Sequence, residues 1–328
     1  MKGKFAAYLA ATVTILLWGM SLIWSDRLLD AEIPVEFFVP VRMAIAAGLL
    51  FCLNLATRTA MRIKKGDLLK FMLMALCLPL VYFICETYGL KLTESPTITS
   101  LVLATNPIFA MFAGRLLFKE KFGKVNIIGV FITLAGLWIV CYTRTETGPW
   151  FFWGILVLLV AVLSEVSQLS FTKHLSDGYA PSVIVMYQFL FGAVVFLPLF
   201  LTKGIKSFEP SLYLSWSVIY PTLALAFLCS AVAFTTWAYA IKHLGVAHTS
   251  VFLAVVPLVT ALAAFLFGEE RLSGLQWAGL AVGMIGIYLT QIVLTTKNNN
   301  DTERTLRNCP AEGSRAGEAG VDRAGTQA

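Results

Sequence analysis

TSLVLATNP, Thr99–Pro107, returns 150 residues later as TSVFLAVVP, Thr249–Pro257. The same displacement carries Glu120 onto Glu270, Gly129 onto Gly279 and Gly136 onto Gly286. Agreement at one fixed offset from Thr99 to Gly136 is the mark of a duplicated unit rather than of chance. Upstream the match is weaker, but an offset of 146 still carries Ser21 onto Ser167, Arg27 onto Lys173 and Arg42 onto Gln188.

The repeat is set in a chain of 328 residues, 58% hydrophobic and only 13% charged. A soluble domain carries about 25% charged residues, so this is the composition of a membrane protein. A helix crosses a bilayer with about 20 mainly apolar residues. That template fits ten times, at residues 5–25, 35–56, 70–91, 97–117, 124–143, 151–172, 181–202, 213–240, 246–267 and 274–295. MKGKF followed by an apolar run to Trp24 resembles a secretory signal, but the run is longer than a signal core and lacks a small-residue cleavage site. It reads as the first membrane helix.

Lys and Arg, which gather on the cytoplasmic side of short connections, set the orientation. Eighteen fall on the side of both termini, including Arg58 to Lys70 and Arg115 to Lys124, against six on the other. Both termini are therefore expected in the cytoplasm, with the chain in the cell (inner or plasma) membrane. The net charge of +6 resides in these clusters, and no nucleic acid partner is expected. Five of the six cysteines lie inside apolar runs without CxxC or a His at ligand spacing, so no metal or cofactor is expected. From Lys297 the composition turns polar and is expected to be a disordered cytoplasmic tail.

Each repeat holds five helices, and an odd number of crossings makes the second copy enter from the opposite side. The expected fold is all-α, with ten transmembrane helices in two inverted five-helix repeats, residues 1–145 and 146–296, followed by the tail, 297–328. Inverted repeats are found in secondary transporters, whose substrate sits near the midplane between the halves. WGMSLIW at Trp18–Trp24, the helix with Arg42, and the twice-occurring small-polar-to-Pro stretch, each copy followed by a Glu and a Gly-rich helix, resemble the drug/metabolite transporter superfamily, EamA type. The resemblance spans about residues 5–295. It implies a carrier for small metabolites, often amino acids or related compounds and frequently outward, with helices 1, 3, 4, 6, 8 and 9 around a central cavity. Glu86 and Glu165 lie outside that pattern.

Charged groups at membrane depth cost a few kcal/mol and normally face a cavity or a partner. Arg42 and Glu86 fall at similar depth on oppositely running helices and are expected either to pair or to serve coupling and substrate. Glu165 lies in the sixth span with Gln188 at comparable depth. Burial disfavours the charged form of a carboxylate, so proton-coupled exchange is available to Glu86 or Glu165. Helical spacing places Trp18 and Ser21, Tyr82 and Glu86, Thr99 and Asn106, and Glu165 and Gln168 on shared stripes; with Trp237 and Tyr239 they are the candidate substrate cavity. Pro107 and Pro257, which each remove a backbone donor, are candidate gating kinks. The Gly-rich fifth and tenth spans are packing faces between helices or protomers, and monomer and homodimer remain open. His248 reads as an interface residue.

A secondary carrier is the first reading. A channel needs a ring of equivalent polar groups, and a membrane-embedded enzyme needs catalytic motifs; no GxSxG, HExxH or Walker A sequence is present, and no catalytic residue is expected. A fluorescent protein fused after Ala328 tests the orientation. It is expected to fluoresce, and an alkaline phosphatase fused at the same point to be inactive; the reverse pattern would place the C-terminus outside.

Overall fold

A computed structural model describes residues 2–110, 112, 123–143, 148–205, 209–245, 249 and 251–307. Among these residues the regular structure is entirely helical. The longer helices are α1 (Lys2–Asp30), α2 (Val35–Ala56), α3 (Lys65–Thr93), α4 (Pro96–Leu103), α5 (Lys124–Tyr142), α6 (Phe151–Ser176), α7 (Pro181–Gly204), α8 (Trp216–Leu244), α9 (Val256–Phe267) and α10 (Gly274–Arg307), with a single turn at Pro210–Tyr213 before α8. Seven, α1 to α3 and α5 to α8, are long and apolar enough to cross a membrane. α9, with the turn before it, and the apolar part of α10 are shorter. α4 stops at Leu103 and helix resumes at residues 106–110. The last helix runs past Lys297 to Arg307, and the rest of the expected tail lies outside the described residues, as do Glu120 and His248.

Local chemistry sets the ends. Ser95 is extended (φ −151°) and its hydroxyl accepts from the Ile98 N–H at 3.1 Å, with Pro96 next in the first turn. A side-chain cap followed by proline is a strong helix start. α8 and α9 stop at Gly245 (φ +81°) and Gly268 (φ +77°), backbone conformations that glycine adopts without a Cβ penalty.

The interiors are less regular than the hydropathy implies. α3 contains a π-helical segment, Leu76–Val81, in which Leu78 is extended (φ −134°, ψ 118°) just before Pro79. A residue preceding proline is pushed out of the α region. α8 has a π-helical segment at the equivalent place in the second repeat, Leu225–Val232. α9 is preceded by a 3-10 turn, Val251–Val255. In α4 the backbone turns at Ala104 and Thr105, and Ala104 lies 150 residues before Ala254 in the turn that leads into α9. Pro107 and Pro257 therefore do not kink continuous helices: each stands at the second position of a helical segment that begins after a break. There the missing N–H has no partner to lose.

Two apolar clusters form the body. One joins α1, α2, α3, α7 and α8 around Phe83, Phe189 and Phe234, with ring centroids 5.3 to 6.3 Å apart. The other joins α4, α5, α6, α9 and α10 around Leu101, Leu158 and Leu280. At one end Arg27 of α1 pairs with Glu269 beyond α9 at 2.6 Å, and Thr97 of α4 donates to Glu270. At the other, Asp67 takes Lys70 at 2.8 Å and the Tyr179 hydroxyl at 2.9 Å. Each end thus joins connections that the alternating topology assigns to one side.

The glycine faces of α5 and α10 meet each other within the chain. A Cβ on Gly129 would lie 2.7 Å from the Thr290 nitrogen, and one on Gly136 would overlap the Gly283 backbone. Asn126 adds a bond from its amide to the Thr290 carbonyl at 2.7 Å. Gly136→Leu is expected to destabilise the protein by at least ~1–3 kcal/mol, the usual cost of overpacking, seen as a lower melting temperature in detergent. Gly48, where an added methyl group would meet nothing within 4 Å, tolerates alanine; equal melting temperatures for the two variants would refute the close-packed contact.

Candidate functional site

The irregular stretches of backbone converge. Leu78 from the π segment of α3, Ser100, Leu103 and Ala104 at the break of α4, and Leu253 and Val256 at the start of α9 line one cavity. Its volume is about 50 Å³, below the usual range for small-molecule sites. Trp18, Ser21, Arg42, Tyr82, Glu86 and Glu165 complete the polar and aromatic part of the wall, with Phe83 and Phe234 beside them.

Arg42 is 2% exposed. Its Nε donates to the Ser230 hydroxyl at 3.0 Å, and its guanidinium carbon lies 4.2 Å from the centroid of Phe83. Ser230 belongs to the π segment of α8, so an irregularity of one repeat positions the charged group of the other. A cation over an aromatic face gains electrostatically. The Arg42 terminal nitrogens make no hydrogen bond among the described residues. Glu86 accepts from the Tyr82 hydroxyl at 3.1 Å, one turn earlier on α3.

Of the two alternatives expected for Arg42 and Glu86, the ion pair is not formed. Ser230 and Phe83 hold the guanidinium to one side, although the two charges are close enough to feel one another. Glu165 on α6 lies within electrostatic reach of Glu86. Next to it on α6, Ser164 donates to the carbonyl of Cys77 at 2.6 Å, in the π segment of α3.

The other expected site residues lie behind or away from this wall. Trp237 backs Trp18 at 5.1 Å and packs with Ile15, Leu169, Ile241 and Leu253. Tyr239 stacks on His243 at 4.1 Å. Thr99 bonds Thr93 at 3.0 Å and so ties α4 to α3. Gln168 donates to Thr172 at 2.6 Å and to Gln188 at 3.4 Å, a buried polar layer of its own. Asn106 is fully buried, and neither its side-chain oxygen nor its nitrogen has the distance and angle of a hydrogen bond among the described residues.

Two physical causes underlie the difference between the expected and the observed wall. The helical stripe that joins Thr99 to Asn106 assumes one continuous helix, and α4 breaks between them. A search for polar residues also passes over apolar lining: Phe83, Leu103, Ala104, Leu253 and Val256 carry no charge to attract notice. Ser100, Leu103, Ala104, Leu253 and Val256 do lie inside the two copies of the repeated stretch, and that recurrence is the signal from which they could be found.

The EamA-like transporter family matches residues 5–142 and 152–292. A relative called uncharacterized transporter YetK, from Bacillus subtilis, is 24% identical over 301 residues, covering 89% of this chain and 88% of its own. A probable terminal-alkyne amino-acid exporter of Streptantibioticus cattleyicolor is 28% identical over 194 residues, 58% of this chain and 62% of that one. A probable amino-acid metabolite efflux pump of Salmonella typhimurium is 25% identical over 198 residues, 58% and 66%. One crystal structure superposes with a TM-score of 0.67 at 17% identity, over 89% of this chain and 98% of the other, which shows a shared fold. Two family matches that together take in most of the chain, around a cavity walled by both repeats, make this multi-pass membrane protein a member of the EamA-like transporter family.

Proposed function

We propose that the protein is a secondary active carrier that exports small zwitterionic metabolites of the amino-acid type by alternating access, exchanging protons at Glu165 and Glu86. The observation that carries this reading is the charge pattern of the wall: one guanidinium with its terminal nitrogens unused and two carboxylates, in one chamber with Trp18, Phe83 and Phe234. A zwitterion presents a carboxylate that Arg42 can bind through two parallel N–H donors and an ammonium that Glu86 or Glu165 can accept. The aromatic faces then meet an apolar side chain. Two relatives are named as an amino-acid exporter and an amino-acid metabolite efflux pump, which supports the substrate class and the direction.

Discontinuous helices in corresponding positions of two repeats are the usual setting of a transporter site, and here both copies border the cavity. On this reading the repeats rock about the cavity, the protein sits in the cell membrane with both termini in the cytoplasm, and Pro107 and Pro257 mark where each broken helix resumes.

Full-length protein in proteoliposomes tests the function with a panel of labelled amino acids, with and without a pH gradient. Saturable counterflow is expected, and unsaturable flux that follows the gradient would instead indicate a channel. Arg42→Leu is expected to weaken substrate affinity about 10- to 100-fold, the worth of hydrogen bonds to a charged group. Glu86→Gln and Glu165→Gln keep counterflow but lose the response to a pH gradient; persistence of that response in both single variants and the double variant would remove these residues as the proton site.

A further inference from the structure

Ser230 stands where the two halves of the chain meet at the charged wall. It is fully buried in the π segment of α8, and beside it the Cys229 thiol donates to the Leu17 carbonyl at 3.1 Å, which fixes that segment to α1. A serine or threonine inside a helix commonly turns its hydroxyl back to a carbonyl one turn earlier, as Thr14, Thr93 and Thr133 do. Ser230 makes no such bond among the described residues; its oxygen accepts from the Nε of Arg42 on α2 at 3.0 Å.

That bond holds the guanidinium by one edge. Arginine presents its N–H donors in a rigid planar fork, so once Nε is fixed and the plane lies against Phe83, 4.2 Å from the guanidinium carbon, the direction of the terminal nitrogens is fixed too. Phe83 and Glu86 are three residues apart on one regular stretch of α3, Tyr82–Thr93, and such residues are neighbours on a helix face. A group that touches Phe83 therefore has the Glu86 carboxyl beside it, and Arg42 and Glu86 line the same chamber of about 50 Å³. A buried cation without a paired anion is costly, so an unrestrained guanidinium gains by closing on Glu86. The contacts that oppose this are the Ser230 hydroxyl and the Phe83 ring.

We propose that Ser230 is a positioning residue that keeps Arg42 from closing on Glu86 and so reserves its terminal nitrogens for the substrate, which rests on the proposed role of Arg42 as the site of a substrate carboxylate. Ser230 and Arg42 come from opposite halves of the chain. A shift of α8 against α2 thus releases the guanidinium onto Glu86, and the substrate's carboxylate loses its partner.

Solid-state NMR of the full-length protein in lipid, with ¹⁵N in the arginine guanidinium groups and ¹³C in the glutamate carboxyl groups, reads this choice without any substrate. Ser230→Ala is expected to add one Arg–Glu contact within about 4 Å, the range of an ion pair, and that contact is expected to vanish when Glu86→Gln is added. Ser230→Cys, close to serine in size and a weak acceptor, is expected to do the same and guards against a packing defect in the alanine variant, checked by melting temperature. In proteoliposomes, Ser230→Ala is expected to raise the half-saturation concentration of counterflow about 10-fold for each labelled amino acid that the unmodified protein carries, and less than about 3-fold when Glu86→Gln is already present. A merely structural role costs the same in both backgrounds. No new contact in either serine variant, a contact that survives Glu86→Gln, or an equal cost in both backgrounds overturns the role of Ser230 and leaves the reading of Arg42 in place. Unaltered half-saturation in Arg42→Leu, or no amino acid carried at all, overturns the reading of Arg42 itself, and the role of Ser230 with it.

Discussion

In hydrocarbon a backbone N–H or C=O without a partner has no water to turn to, so irregular backbone at membrane depth survives only where protein groups or a cavity receive it. That constraint organises this molecule. The breaks in α3, α4 and before α9 open onto the central cavity, and in α3 Ser164 also caps the carbonyl of Cys77. The cavity is where the two repeats can be irregular without stranding a polar group in lipid. A duplicated unit puts matching irregularities in both halves, and the breaks of α4 and α9 border one cavity.

The same constraint bears on the buried charges. Arg42 is held by a hydroxyl and an aromatic face rather than by a carboxylate, which leaves its positive charge without a neutralising contact at bonding distance. Glu86 keeps a tyrosine hydroxyl. A closed Arg42–Glu86 pair would have satisfied both groups and left little for a substrate; holding Arg42 on Ser230 and Phe83 keeps opposite charges available in one chamber. Rigidity comes from elsewhere, chiefly the glycine contact of α5 with α10, where backbone approaches backbone too closely for any side chain.

Much of this is legible in the residues themselves. The hydropathy runs locate the helices to within a few residues in most cases, α2 at 35–56 being an example. The recurrence of TSLVLATNP marks the helices that turn out to be broken, and the isolated charges Arg42, Glu86 and Glu165 all reach the cavity wall. The differences have separate causes. An ideal helical repeat puts Thr99 and Asn106 on one stripe, whereas α4 breaks between them, and Gln168, on the unbroken α6, turns to Thr172 and Gln188. Proline at positions 107 and 257 reads as a kink inside a helix, although a helix start accommodates it with no loss of hydrogen bonding.

The sequence by itself determined the membrane class, the helical elements, the duplication and the residues whose burial would demand a reason, because these follow from composition, length and period. Only the tertiary structure decided that Arg42 turns to Ser230 and Phe83, that the glycines of α5 meet α10, and that Gln168 belongs to a separate polar layer. Those outcomes depend on which groups from distant parts of the chain arrive within about 3 to 4 Å of one another, the range over which hydrogen bonds and close contacts act, and no local pattern records that distance.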